Sequence, residues 1–341
     1  MPKRVSNLFD KIISLDHLVE VYGKAKIGKC RRHSKVNFEI NLFENLAQIH
    51  SELKSGTYEV SPYRHFSIFL HKKREIYAPA FRDMIVQHAI LDIINPIFDK
   101  TFIEQSHGCR QGHGILSASD YVYKVIKKCD PEMYYLQLDI RKYFYSIDRK
   151  ILRKQIEKKI KEKSLIDLVC KFADLDEVPT GVPIGNLLSQ FFGLLYLNPL
   201  DHFIKRELKQ EKYCRYVDDF IILGITKEKA KELELKIREF LKNELNLELS
   251  KVKLYKIKRG INFVGYRTWK HYRLVRKYCL KNFKKKAKNF EIKSVISMLG
   301  HCFYSNSYRT YVKFLPRKLY DELPEKCQNK IKEVCSKMIY K

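Results

Sequence analysis

With 341 residues, 45% of them hydrophobic and 13% aromatic, the chain can bury a sizeable core over two or three subdomains, which excludes global disorder. Its 67 Lys and Arg against 39 Asp and Glu leave a formal charge of +28, which points to a polyanionic partner, nucleic acid first, because each neutralised phosphate releases condensed counterions. Nine cysteines without a CxxC pair or a His–Cys cluster argue against zinc and for reduced thiols; with no apolar run after Met1-Pro2-Lys3-Arg4 and no stretch fit to span a bilayer, a cytoplasmic protein without a membrane partner is expected.

In chain order, helical periodicity covers 36–55 and 81–99, and the second run (Phe81, Ile85, His88, Ala89, Leu91, Asp92, Ile94) is expected to close at Asn95-Pro96, where proline disfavours continuation. Between them, 66–70 and 75–79 read as short strands around the basic turn His71-Lys72-Lys73-Arg74. A strand at 133–139 follows, then a helix from about 149, a long apolar helix from about 187 to 206, and strands near 213–217 and 220–224. A polar helix at 227–244, strands near 252–257 and 262–266, and a mainly helical remainder complete the pattern. No repeat or low-complexity linker interrupts it. Mixed strands and helices with an antiparallel hairpin imply an α+β sheet backed by helices, not a doubly wound parallel sheet.

The charge is uneven. Residues 251–341 hold 25 Lys and Arg against 5 Asp and Glu, a net of +20. Aromatics interleave there (Tyr255, Phe263, Tyr266, Trp269, Tyr272, Tyr278, Phe283, Phe290), offering a phosphate track with stacking surfaces, or else a solvated basic face over an ordinary core.

The sharpest signal is Tyr216-Val217-Asp218-Asp219, set before the apolar run Phe220-Ile221-Ile222-Leu223. Adjacent carboxylates at a hairpin tip repel and raise one another's pKa unless a cation sits between them, and a divalent ion is the usual solution; the alternative is an Asp-Asp turn capping its own backbone. A second strand, Tyr134-Tyr135-Leu136-Gln137-Leu138-Asp139, also ends in a carboxylate. Should it lie beside the hairpin, Asp139 and Asp218 converge on one pair of magnesium ions about 3.5–4 Å apart, the arrangement that activates a 3′ hydroxyl and stabilises leaving pyrophosphate. Magnesium takes a few carboxylates plus substrate phosphates, which suits three aspartates without a cage.

On these residues the chain resembles the reverse transcriptase family, from about residue 45 to about 310. Asp139 matches the first aspartate of motif A and Tyr216-Val217-Asp218-Asp219 the YxDD box, which implies that Asp139, Asp218, Asp219 and the Ile140 carbonyl hold two Mg2+. Phe144 takes the steric-gate position, where a ring against the sugar excludes ribonucleotides; without the motif it reads as a core aromatic. Lys72-Lys73-Arg74-Glu75-Ile76 with Phe81-Arg82-Asp83 looks like the fingers segment, in which Arg74 and Arg82 would hold the triphosphate, with a surface salt bridge as the alternative. Ser106-His107-Gly108-Cys109-Arg110-Gln111-Gly112 is similar to the SxGxRxG element, which would turn Arg110 to template or nucleotide. Lys253 falls where the motif D lysine protonates pyrophosphate, and Phe263-Val264-Gly265-Tyr266 resembles the primer grip; a solvated lysine and plain strand packing are their alternatives.

Gly181-Val182-Pro183-Ile184-Gly185-Asn186-Leu187-Leu188-Ser189-Gln190 fills the motif B position, so that Ile184, Gly185 and Gln190 join the nucleotide-binding set. Most other bacterial members carry glutamine before that glycine and Ser-Pro after it, whereas Ile184 with Ser189-Gln190 looks like the reverse transcriptases of diversity-generating retroelements. That likeness implies error-prone copying of a template-repeat RNA, with misincorporation at adenines, and a small basic accessory protein that forms a pentamer. The family implies a right-hand polymerase: fingers with an N-terminal extension over 1–130, an interleaved palm over 131–270 and a basic helical thumb over 271–341. It also implies template RNA, RNA/DNA duplex and dNTPs as partners, and a bacterial, archaeal or phage origin. Retron, abortive-infection and intron-type enzymes share the palm, and a catalytically silent RNA-binding relative is the non-enzyme alternative, though it would be expected to lack an aspartate. The roughly 70 residues after Trp269 are expected to leave no room for a maturase, ribonuclease H or endonuclease domain.

Overall fold

The computed structural model describes residues 4–28, 33–69, 73–175 and 180–336, so Cys30 and, in the basic turn, His71 and Lys72 lie outside them. Helices α1 (Leu15–Ala25) and α2 (His33–Ile40) lie against a long helix further along the chain, and α3 (Leu42–Ser55) packs on both. The periodicity over 36–55 is thus split at Asn41, and α3 ends at Gly56, whose φ of +76° supplies the left-handed cap. An antiparallel hairpin follows, β1 (Arg64–Phe69) and β2 (Lys73–Ala78), with Ile68 opposite Arg74 and Phe66 opposite Ile76.

The long helix, α4 (Phe81–Asp99), corrects one expectation: it runs through Pro96. Proline removes one late hydrogen bond, but the last turn buries Phe98, 1% exposed, and that packing holds the helix to Asp99. After α5 (Ile115–Lys127) come β3 (Tyr134–Ile140), the short α6 (Tyr143–Ser146) and α7 (Leu187–Tyr196). The single apolar helix expected to about 206 is broken: Asn198–His202, with Pro199 in its first turn, and a π-helical turn Phe203–Glu207 complete it. Then β4 (Tyr213–Tyr216), β5 (Asp219–Ile225), α8 (Lys227–Leu245) and β6 (Leu249–Lys256) close an antiparallel sheet in the order β4-β5-β3-β6.

Strand alternation divides this sheet into two unlike faces. Leu136, Leu138, Ile140, Phe220 and Ile222 join the main core, which also contains Leu233, Ile237 and Leu241 of α8. Opposite, Tyr135, Ile221 and Leu223 at one end are covered by Ala118, Val122 and Ile126 of α5. The other end of that face carries Asp139, Asp219 and Lys251 in neighbouring register, with Gln137 and Lys253 one row behind. A buried apolar end fixes the register, because a one-residue slip would turn these acids into the core.

A second small sheet, β7 (Ile261–Phe263), β8 (Tyr266–Thr268) and β9 (Arg273–Val275), leads to α9 (Lys277–Lys288), α10 (Ile292–Cys302) and shorter helices to Ser336. Strand β9 interrupts the expected helical remainder. Arg273 anchors it, donating to Ser119 Oγ at 2.8 Å and Asp120 Oδ1 at 2.7 Å. Tyr266 and Val275 pack with Phe283, Val295 and Leu299, so the basic helical unit is rooted in β8, ahead of residue 271. Among the described residues no helix is long and apolar enough to cross a membrane.

Candidate active site

The β4–β5 hairpin turns in two residues, Val217 and Asp218, with Tyr216 opposite Asp219. Val217 has φ of +58°, a left-handed conformation that a β-branched residue adopts only when its surroundings impose it. Arg215 imposes it from below. Its guanidinium is fully buried, donating from Nη1 to the Val217 carbonyl at 2.9 Å, and from Nε and Nη2 to the Asp201 carboxylate at 2.7 and 2.5 Å. Tyr213 Oη donates to Asp201 at 2.7 Å, completing the network. Residues 105–107 run along the edge of β4, with His107 N donating to the Arg215 carbonyl at 2.9 Å and Arg215 N to the Gln105 carbonyl at 3.0 Å. That brings Gly108 onto the turn, where a Cβ would stand 2.7 Å from Val217 N. Gly108→Ala is therefore expected to destabilise the protein by about 1–3 kcal/mol, the usual range for overpacking, and to slow catalysis through the displaced hairpin. Chemical denaturation beside an activity assay checks it; an alanine variant with unchanged midpoint and rate would show that the contact is slack.

Asp218 and Asp219 both feel the charge of Asp139. Burial first, then the Asp139 charge, pushes Asp218 up to about 6, with Arg74 and Arg215 pulling the other way. Asp219 is likewise pushed up to about 6, by burial first and then by Asp139 and Asp218, while Gln137 and Lys253 oppose the shift. The Asp139 and Asp219 carboxylates nevertheless point to protein partners. Ser250 Oγ donates to Asp139 Oδ2 at 2.6 Å, and Gln137 Nε2 donates to both oxygens of Asp219 at 2.8 and 3.1 Å. Ser250 reaches Asp139 from a β-bulge: Asp139 pairs with Lys251 and Ile140 with Leu249, leaving Ser250 between them. Among the described residues, no three His, Cys, Asp or Glu side chains are gathered into a ready-made coordination shell. The donor set still fits magnesium, which needs only hard oxygen ligands and completes its octahedron with water and substrate phosphate. Raised acids in a half-buried site are also what a cation would relieve.

Other residues singled out in the sequence divide into two groups. Arg74, exposed on β2, is near enough for its charge to act on Asp218. The motif B loop docks on the same strand: Tyr77 N donates to the Ile184 carbonyl at 2.7 Å, and Gly185, at φ +123°, leaves no room for a Cβ, which would meet the Tyr77 carbonyl at 2.9 Å. Ser189 Oγ closes that loop on the Pro183 carbonyl at 2.6 Å, and exposed Gln190 lines a cavity of about 970 Å³ with Arg64, Phe66, Ile76 and Gly185. Phe144 is half-buried, with its ring against Gly193 of α7.

Two arginines are committed elsewhere. Arg110 does not face an open site: its side chain is 8% exposed, forked onto Asp99 at 2.7 and 3.2 Å, and donates to the Ile103 and Ser106 carbonyls at 2.8 and 3.2 Å. It braces the loop that carries Gly108. Arg82 pairs with Glu52 and lies over the Tyr58 ring, 5.1 Å to the centroid, so it joins α4 to α3 instead of presenting a free fork. In the small sheet, Val264 and Gly265 form the β7–β8 turn. Phe263 is buried toward the α5-covered face of the four-stranded sheet and Tyr266 toward α10, where its hydroxyl donates to the His301 carbonyl at 2.8 Å.

Gln137, Ser250, Arg215, Asp201 and Gln87 were not singled out in the sequence. Gln87, fully buried on α4, accepts from Leu187 N at 3.0 Å and Leu188 N at 3.2 Å and donates to Asn186 Oδ1 at 3.1 Å, so it caps α7 from another helix. A glutamine within the apolar stripe of α4 was the available signal.

Residues 66–268 match the family model for reverse transcriptase (RNA-dependent DNA polymerase). The chain belongs to the reverse transcriptase family. Its fold is the right-hand polymerase of that family, with the four-stranded sheet as palm. This reverse transcriptase is 26% identical over 280 residues to protein YkfC of Escherichia coli strain K12, with 69% of this chain and 74% of YkfC covered. It is 25% identical over 299 residues to the group II intron-encoded protein LtrA of Lactococcus lactis subsp. cremoris, with 65% of this chain and 49% of LtrA covered, so it spans about half the length of that relative. Among solved structures, a telomerase from Candida albicans in complex with a fragment of telomeric RNA is similar at 12% identity and a TM-score of 0.49, over 77% of this chain and 58% of that one.

Proposed function

We propose that this reverse transcriptase copies an RNA template into DNA, with Asp139, Asp218, Asp219 and the Ile140 carbonyl holding two magnesium ions. The observation that carries this is the cross-strand pairing of Asp139 with Asp219, beside a turn that presents Asp218. When bound, such ions supply an activated primer hydroxyl and stabilise the leaving oxygen. The chain's own residues do the rest. Arg74 takes the triphosphate, Lys253 offers a proton to departing pyrophosphate, and the Phe144 ring closes the space beside the sugar against a 2′ hydroxyl. Phe263, Gly265 and Tyr266 shape the turn that steadies the primer. The fingers comprise 1–130 and interleave with the palm, 131–270, and the basic thumb is the rest, beginning at β9 and packed on β8 of the palm; its excess cations run along the duplex backbone, giving affinity that falls with salt.

At the finer level, the reading supported by Ile184 and Ser189-Gln190 is a diversity-generating retroelement enzyme, which copies a template-repeat RNA with errors at adenines and works with a pentameric basic accessory protein. Ile184 gives its carbonyl to Tyr77 and otherwise offers only an aliphatic side chain at the loop, so the site tests base-pair geometry without an amide to hydrogen-bond. Ile184→Gln is expected to lower adenine misincorporation severalfold while leaving total synthesis comparable, as read by sequencing the cDNA; an unchanged adenine error rate would remove Ile184 from the account. Similarity to LtrA favours a second reading, an intron-type enzyme. Sequencing cDNA made on the neighbouring non-coding RNA separates them, since an intron-type enzyme gives no adenine bias.

A further inference from the structure

Helix α7 reads Leu-Leu-Ser-Gln-Phe-Phe-Gly-Leu-Leu-Tyr, and Gly193 is its one residue without a side chain. Glycine in a helix interior is about 1 kcal/mol less favourable than alanine, so a buried one calls for a packing reason. Phe144 supplies it. A Cβ on Gly193 would stand 2.8 Å from Phe144 Cε1, 3.2 Å from Cζ, and 3.3 Å from Tyr143 Cε1. The ring therefore occupies the volume that any other residue at 193 would fill.

The backbone on both sides of this contact is fixed. Tyr143 Oη donates to the Gly193 carbonyl, tying the helix to the segment that bears the ring, and Val182 N donates to the Phe144 carbonyl at 2.9 Å. Gly193 itself lies in a fully packed stretch of α7, flanked by buried Phe192 and Leu194. A side chain at 193 would therefore have to displace the half-buried Phe144 ring from its contact with α7. We propose that Gly193 is a specificity-determining residue of this polymerase: by lacking a Cβ it sets how deeply the Phe144 ring recedes, and so how much room the nucleotide sugar has. The inference rests on Phe144 being the ring beside the sugar.

Steady-state single-nucleotide extension on an RNA template, with dNTP and the matching rNTP, tests it in Gly193→Ala, Phe144→Leu and the double variant. Pushing the ring off its preferred rotamer is expected to raise the dNTP KM about threefold to tenfold, with kcat within about twofold of wild type. Ribonucleotide use falls further still. In the double variant the shorter leucine no longer meets the new Cβ, so the dNTP KM returns to that of Phe144→Leu alone, a non-additive result that marks direct coupling. If Gly193→Ala also melts early, the double variant regains the lost stability. Unchanged kinetics in a well-folded Gly193→Ala, a KM rise that persists in full in the double variant, or a double variant that stays unstable overturns the inference. Phe144→Leu should by itself admit ribonucleotides; if it does not, the steric-gate reading falls and the specificity claim with it, whereas a failure confined to Gly193→Ala leaves the gate standing.

Discussion

Asp218→Asn is expected to slow primer extension on an RNA template by at least about 10²-fold, the scale of losing one charge-stabilising group at a reacting centre, and to make the metal-free protein harder to melt. The two effects share a cause. Asp218 is held near 6 in the fold, above the ordinary carboxylate range, first by burial and then by Asp139. Between the unfolded and folded values the native state binds more protons, so metal-free protein loses stability as pH rises from about 4 to about 6 and carries the whole penalty above that. Asparagine removes the charge, and the penalty goes with it. Magnesium is accordingly expected to raise the melting temperature of wild type at about pH 7.5, and not at about pH 4, where the carboxyl keeps its proton in the fold. Melting curves at the two pH values, with and without the ion, check the sign. A variant that extends primers like wild type would take Asp218 out of the chemistry.

Arg215→Ala is expected to be the most destabilising single change near the site, by about 3–5 kcal/mol, because it strands a buried carboxylate. Asp201 and Arg215 are both fully buried, and removal of the guanidinium also leaves the Val217 and Leu194 carbonyls without their donor. Replacing both partners by apolar residues of similar size should restore part of the stability, since no charge then remains in the core, while the buried Tyr213 hydroxyl loses its acceptor. It should not restore the rate, because Val217 still lacks the tether that holds its left-handed turn. Urea denaturation and primer extension on Arg215→Ala and on the Arg215→Met/Asp201→Leu pair separate the two contributions. A pair that recovers both stability and full activity would show that the turn holds itself.

The palm was legible in the sequence because its signals are local and periodic. An apolar strand ending in Asp139, and a hairpin with Asp218 at its tip, need only the two-residue period to put their acids at one end of one face. Lys253 follows by register, opposite Gln137. What was hidden depends on contacts across the chain. No spacing announces that Ser250 bulges to meet Asp139 from 111 positions away, or that Gln87 caps a helix 100 positions on. Arg110 shows the converse limit: likeness to a motif locates a loop, but an arginine's long side chain takes the nearest carboxylate, here Asp99. Pro96 and β9 were misread because burial of Phe98 and the Arg273 anchor outweigh local propensity.

The most direct test is the structure of a ternary complex with RNA template, DNA primer, an incoming nucleotide that cannot react, and magnesium. Asp139 should have left Ser250 and Asp219 should have loosened from Gln137, with Asp139 and Asp218 sharing an ion and Arg74 on the triphosphate. An Asp139 carboxylate still bonded to Ser250, with the ions bound somewhere else, would contradict the account.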